Sequence, residues 1–209
     1  MPLLQKQISP LWGIWKIEES WEELFHQFEQ TDSFLPFLNK SKSESRKAEL
    51  LAIRLLLKEL TGKETVVSYL DNGAPYLPDS PYHISISHTK GFAAVILSPE
   101  KPVGIDIEYI SERVHRIKSR FMREDELTLF EKQLTTNDLL ICWSAKETAF
   151  KMTAQKTADL QKDIQIIGFK PFQNSENGTL TAREYLTPQS SVFQINYMIT
   201  PDFVVTYSE

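Results

Sequence analysis

Apolar positions recur along this chain at two spacings, and each predicts its own set of elements. Residues 11–17, Leu-Trp-Gly-Ile-Trp-Lys-Ile, are rich in branched and aromatic side chains and predict a strand. Trp21, Leu24, Phe25 and Phe28 recur at helical spacing and predict a short amphipathic helix from Ser20 to Gln30. The clearest helix runs from Ser43 to Leu60, with Gly62 as its stop. A strand over 64–70 runs into the turn Asp71-Asn72-Gly73, and strands over 82–87, 91–97 and 102–109 follow. Helices are expected over 111–121, 124–133 and 137–152, the last with Thr136 or Asn137 as its cap. From Ile164 onward short strands alternate with polar turns, among them Asn174-Ser175-Glu176-Asn177-Gly178.

One stretch echoes another. Trp12-Gly13-Ile14-Trp15-Lys16-Ile17-Glu18 resembles Val103-Gly104-Ile105-Asp106-Ile107-Glu108, and a long helix follows each strand. Two half-chains of like architecture meeting near residue 100 fit the echo, and so does a chance match of six or seven positions. The 209 residues suit one large domain or two small ones, and 41% hydrophobic content is enough to bury a core.

Charge and cysteine usage narrow the classes. The net charge of −5 opposes a general nucleic-acid binder, which needs a basic surface to displace counterions from phosphates. Cys142 is the single cysteine, so an intrachain disulfide and a Cys-rich zinc site are excluded. It lies in the apolar run Leu139 to Trp143 and reads as a buried thiol. The N-terminus lacks a signal-peptide pattern, and no apolar stretch approaches bilayer length. A soluble cytoplasmic protein with no membrane or nucleic-acid partner is expected.

Four constellations carry candidate chemistry. In Gly104-Ile105-Asp106-Ile107-Glu108, strand alternation puts Asp106 and Glu108 on one face and turns Ile105 and Ile107 inward. Paired carboxylates suit a hard dication such as Mg²⁺, although Asp-x-Glu alone also fits a solvated edge strand. In Trp143-Ser144-Ala145-Lys146-Glu147-Thr148-Ala149-Phe150-Lys151, residues Trp143, Glu147 and Lys151 line one helical face. A Glu four residues before a Lys is also an ordinary helix ion pair, but this one shares its face with a Trp. In Tyr82 to Thr89, alternation sets His83, Ser85 and Ser87 on one face, with His88 at the strand end. Arg46 and Arg54, eight residues apart, lie near one helical face and offer guanidinium forks to phosphate oxygens; a solvated basic stripe fits them equally well.

In this order, the four resemble the signatures of the 4′-phosphopantetheinyl transferases, and among them the surfactin-type, two-half monomeric class. The family's Gly-Ile-Asp-x-Glu strand and Trp-x-x-Lys-Glu-x-x-x-Lys helix are both complete, with Glu147 thirty-nine positions after Glu108. The Gly-x-Pro turn and Ser/Thr-His pair match as Gly73-Ala74-Pro75 and Ser87-His88. The likeness runs from about Trp12 to Met152, with landmarks from Arg46 on. One position departs: some members carry a phosphate-binding Lys where this chain has Ala74.

The resemblance implies an α+β fold of two similar α/β halves, residues 1–101 and 102–209, related by pseudo-twofold symmetry with the active site at their interface. It implies transfer of 4′-phosphopantetheine from coenzyme A to a serine of an apo acyl or peptidyl carrier protein, leaving 3′,5′-ADP. Asp106, Glu108 and Glu147 would hold Mg²⁺, while Lys151 helps neutralise phosphoryl charge. Arg46, Arg54, Ser87, His88, Lys151 and the turn at Gly73 and Pro75 would contact coenzyme A. The proton acceptor is Glu147 or Glu126. Arg113 to Arg123, with five Arg/Lys residues, is the expected docking segment for the carrier protein, against the alternative of a solvated amphipathic helix whose Val114, Ile117 and Phe121 serve the core. The rivals are a Mg²⁺-dependent nuclease and a non-catalytic carrier-protein or coenzyme A binding module. Whether the carrier serves fatty acid, polyketide or nonribosomal peptide synthesis is left open.

Overall fold

The computed structural model describes residues 2–129, 134–171 and 176–209, and the chain divides into two compact units, Met1–Pro102 and Val103–Glu209. Each combines an antiparallel sheet with one long helix, in keeping with the α+β expectation.

The first unit contains strands β1 (Leu3–Ile8) and β2 (Leu11–Lys16), helices α1 (Trp21–Phe25), α2 (Leu35–Lys40) and α3 (Glu44–Thr61), the short pair β3 (Ser68–Tyr69) and β4 (Pro75–Tyr76), and strands β5 (His83–Thr89) and β6 (Phe92–Ser98). Its main sheet has the order β1-β2-β6-β5. Helix α3 starts where the Ser43 hydroxyl accepts from the Arg46 N–H and stops at Gly62, which adopts φ 76°. Leu51, Leu55, Leu56 and Leu57 of α3 are buried with Trp15, Ala93, Val95 and Leu97 of the sheet. A Cβ on Gly13 of β2 would come within 3.0 Å of Leu56 Cδ1, so glycine there permits the close helix approach.

The second unit contains β7 (Gly104–Tyr109), α4 (Arg113–Ile117), two 3₁₀ turns (Lys118–Arg120 and Asp125–Leu129), α5 (Thr136–Met152), β8 (Ile164–Pro171), β9 (Asn177–Glu184), β10 (Val192–Ile199) and β11 (Phe203–Ser208). Its sheet has the order β7-β11-β10-β9-β8, with β7 meeting β11 so that Asp106 faces Thr206 and Glu108 faces Val204. Leu139, Cys142, Ala145 and Ala149 of α5 share a core with Ile166, Leu180, Ile195 and Val204 of the sheet.

Several expected elements change shape. The helix expected to reach Gln30 ends at Phe25, because the N–H groups of Glu29 and Gln30 turn aside to the Glu64 carboxylate. The strand expected over 64–70 is only Ser68–Tyr69, and the helix over 111–121 becomes α4 plus a 3₁₀ turn. Neither Thr136 nor Asn137 caps α5. Thr135 does, in a reciprocal capping box with Asp138. Strand β1 and helix α2 were not expected. Of the helix expected over 124–133, residues 130–133 lie outside the described residues, as do Asn174 and Ser175 of the expected turn.

Candidate active site

Helix α5 crosses the face of β7 that carries Gly104, Asp106 and Glu108. Four helical residues rise about 6 Å and two strand residues about 6.6 Å, so side chains four apart on one keep step with side chains two apart on the other. Trp143 thereby meets Glu108, donating its indole N–H to Oε1 at 2.8 Å. Lys151, two turns on, donates from Nζ to Asp106 Oδ1 and to the Ile105 carbonyl, both at 2.8 Å. A Cβ on Gly104 would strike Thr148 and lie 2.9 Å from Met152 Cγ, so the glycine of this motif is demanded by the helix passing over it. Ser144 and Thr148 meet the Thr206 hydroxyl at 2.9 and 2.7 Å, fastening the helix to β11. The two sequence motifs are thus the two sides of one packed contact.

That contact is more buried than an edge strand with a solvated acidic face. Asp106 is 5% exposed, and Ile105 and Ile107 are also buried. Burial pushes Glu108 up to about 7, reinforced by the charges of Asp106 and Glu147 and opposed by the Trp143 hydrogen bond and Lys151. Burial likewise raises Glu147 to about 7, helped by Asp106 and opposed by Lys151. Lys151 alone therefore leaves excess negative potential, and two carboxyls hold protons that a cation would displace. This donor set fits a hard dication. Among the described residues, no three His, Cys, Asp or Glu side chains stand as a ready-made metal cage. Mg²⁺ does not require one, since it usually takes one or two carboxylates and completes its shell with water and substrate phosphate.

Glu126, one of the two expected proton acceptors, is placed differently. Its carboxylate pairs with Lys146 Nζ at 2.6 Å, both side chains fully buried. Oε1 also accepts from the Ile166 N–H at 2.7 Å and Oε2 from the Arg123 N–H at 2.8 Å. Lys146 completes its set with the carbonyls of Phe121 and Leu160. Both carboxylate oxygens are engaged away from solvent. Sequence reading treated Lys146 as a motif letter. Its role as partner to Glu126 has no signal in local spacing, because the pair joins residues twenty apart.

In the first unit, Arg46 and His88 come together through a residue to which the sequence reading gave no role. Glu49 Oε2 accepts from Arg46 Nη1 at 3.0 Å and lies 3.2 Å from His88 Nδ1. Arg46 Nη1 also contacts His88 Nε2. Glu49 thus orients both cationic candidates. Arg54 does not share this cluster; it borders a pocket with Phe28, Gln30, Ser33, Phe34, Glu64, Thr65 and Val66. Ser87 is buried in β5, opposite Ala94. Gly73 adopts φ 87° in the β3–β4 turn, where its N–H donates to the Leu70 carbonyl at 2.8 Å, and Pro75 begins β4.

The basic segment divides between core and surface. Val114 and Phe121 are buried, so these two members of the apolar stripe serve the core. Arg113, Arg116 and Arg120 are exposed. Arg113, Ile117 and Arg120 line a groove with Glu108, Tyr109 and Trp143, which sets two guanidiniums beside the carboxylate end of β7.

Comparison with known proteins places these elements. A family model described as the 4′-phosphopantetheinyl transferase superfamily matches residues 102–208, a span that contains β7 and α5 with Asp106, Glu108 and Glu147. The chain is also similar to the 4′-phosphopantetheinyl transferase gsp of Aneurinibacillus migulanus, at 29% identity over 129 residues. That alignment covers 59% of this chain and 54% of the relative, so the chain spans about half the length of the curated relative it matches.

Proposed function

Since the chain belongs to the 4′-phosphopantetheinyl transferase superfamily, we propose that it transfers 4′-phosphopantetheine from coenzyme A to a serine of an apo acyl or peptidyl carrier protein. The observation that supports this most is the β7–α5 contact, where Asp106, Glu108, Glu147 and Lys151 gather within the family match.

Asp106, Glu108 and Glu147 would hold Mg²⁺. Bound there, the ion supplies charge neutralisation at the pyrophosphate and lowers the barrier to phosphoryl transfer. The chain's own residues account for the rest. Glu147 is taken as the acceptor of the serine hydroxyl's proton, because Glu126 is engaged by Lys146 and two backbone N–H groups. The serine oxygen forms a bond to the phosphorus nearer the pantetheine as the bond to the 3′,5′-ADP oxygen breaks. Lys151, anchored on Asp106 and the Ile105 carbonyl, offers its remaining N–H where negative charge develops. Arg46 and His88, oriented by Glu49, grip the 3′-phosphate, with the Gly73–Pro75 turn and Ser87 beside them in the proposed coenzyme A site. Because position 74 is Ala, the turn itself adds no cation.

The carrier protein would dock on 113–123. Carrier proteins that are acidic near their modified serine meet Arg113, Arg116 and Arg120 there, and complementary charge steers encounter. Each unit has a glycine on a strand overlain by its long helix, and that likeness of architecture is part of this reading. Incubation with coenzyme A, Mg²⁺ and apo-carrier proteins, followed by mass spectrometry, tests it. Mass gain on the carrier serine is expected, and its absence across fatty acid, polyketide and peptide carriers contradicts the reading.

A further inference from the structure

Helix α4 has only five residues, and Glu112 stands at its N-cap position without capping it. A helix so short does not hold itself together in water, so its place is set by what it touches. One side is tied to the core of the second unit, where Val114 is buried and Ile117 packs beside it. On another side Glu112 and His115 reach Thr136, the first residue of α5. The Thr136 hydroxyl donates to Glu112 Oε1 at 2.7 Å, and its oxygen lies 3.0 Å from His115 Nε2. His115 Nε2 also stands 3.3 Å from Glu112 Oε2, which closes the set of three. Thr135 caps α5, so the Thr136 hydroxyl is not spent on its own helix.

The contact sits at one end of a larger feature. Thr136, Leu140, Trp143 and Glu147 recur at helical spacing and line one face of α5. Leu140 and Trp143 border the groove that Arg113, Ile117 and Arg120 line from the other side. Its space is about 330 Å³, against the roughly 10–15 Å³ that one water needs, so it has room for a partner's side chains. The groove has α4 and its 3₁₀ extension as one wall and α5 as the other, and Glu112, His115 and Thr136 tie the two walls together. The His115 and Glu112 side chains are 42% and 84% exposed. Exposed polar contacts are individually weak, so this set decides where α4 lies and not whether the unit folds. We propose that Glu112, His115 and Thr136 are positioning residues, holding α4 against α5 so that Arg113, Arg116 and Arg120 are set in place for the carrier protein. This rests on the reading that the carrier docks on 113–123.

Thr136→Val tests the set, because it keeps the branched shape at a half-buried position and removes only the hydroxyl. In the full chain it should raise KM for an apo acyl carrier protein about 3- to 10-fold, the effect of losing one hydrogen bond. The kcat and the KM for coenzyme A should stay at wild type. Thr136→Ser, which keeps the hydroxyl, should keep the wild-type KM for the carrier. Amide hydrogen exchange gives a readout that needs no carrier. The N–H groups of Val114 and His115 close α4 onto the carbonyls of Ser111 and Glu112, and their exchange should quicken several-fold in Thr136→Val but not in Thr136→Ser. Wild-type KM for the carrier, or wild-type exchange, in Thr136→Val overturns the proposal. So does a fall in kcat or an equal rise in KM for coenzyme A, since either assigns Thr136 a general structural role. Arg116→Glu with Arg120→Glu, run alongside, separates two failures. If that variant still raises KM for the carrier, only the positioning role is lost; if it does not, the docking surface itself lies elsewhere.

Discussion

The indole of Trp143 and the carboxylate of Glu108 form one hydrogen bond, 2.8 Å long, from α5 to β7. It fixes the rotamer of a half-buried carboxylate and favours its ionised form against burial. Trp143→Phe keeps most of the packing with Phe121, which meets the indole edge-on at 5.3 Å between centroids, and deletes only the donor. Affinity for Mg²⁺ or Mn²⁺, measured by calorimetry, should fall about 10- to 100-fold. Unchanged affinity would show that Glu108 needs no such support.

The buried pair of Glu126 and Lys146 gives a test that separates structure from catalysis. Lys146→Met alone leaves a buried carboxylate unpaired, and Glu126→Leu alone leaves a buried ammonium, so each should lower stability by about 3–5 kcal/mol. The double variant Glu126→Leu with Lys146→Met should recover most of that loss in urea unfolding. It should also recover phosphopantetheine transfer, because Glu147 accepts the proton in this account. A stable double variant without transfer would return Glu126 to the role of base.

Much of this site was legible in the sequence. Strand alternation at Asp106 and Glu108 and helical spacing at Trp143, Glu147 and Lys151 are local properties, so spacing alone put each set on one face. Gly104 marks where helix and strand cross. What stayed hidden depends on distant contacts. Glu126 was legible as an acid but not as the partner of Lys146. Strand β1 was missed because Leu4 and Ile8 are exposed while Gln5 and Gln7 share the half-buried face with Leu3, so apolar and polar positions do not alternate with burial. The 20–30 helix was drawn too long because Glu64, far along the chain, captures the N–H groups of Glu29 and Gln30.

The metal-free protein should lose stability as pH rises through the range set by the two raised carboxyls. Glu108 and Glu147 titrate at about 7 in the fold, against an ordinary value of 4.5. Between these values the native state binds more protons than the unfolded chain, so unfolding free energy falls from about pH 4.5 to about pH 7 and then levels. Glu184 acts in the opposite sense. Burial pushes its carboxyl up, but hydrogen bonds from Thr187, Ser191 and Leu186 outweigh it and hold it low, so its contribution is lost on acidification. Urea unfolding with a chelator, comparing wild type with Glu147→Gln, isolates the first effect. A variant with the wild-type slope would contradict the assignment of Glu147.

Charge reversal on the basic segment addresses docking. Arg116→Glu with Arg120→Glu, both at exposed positions, should raise KM for the carrier protein about tenfold or more and leave KM for coenzyme A unchanged. The wild-type rate should also decline with salt, since exposed charges are screened over about 10 Å at 0.1 M. Untouched carrier-protein kinetics in the double variant would move the docking surface elsewhere.

The most direct measurement is intact-mass analysis of an apo-carrier protein after incubation with this chain, coenzyme A and Mg²⁺, alongside Asp106→Ala and Glu147→Ala. Circular dichroism establishes beforehand that both variants are folded. The account predicts a gain of one phosphopantetheine on the carrier serine with wild type, dependent on the divalent cation, and none with either variant. Near-wild-type gain from either folded variant, at saturating Mg²⁺, would contradict the claim that these carboxylates form the centre of the reaction.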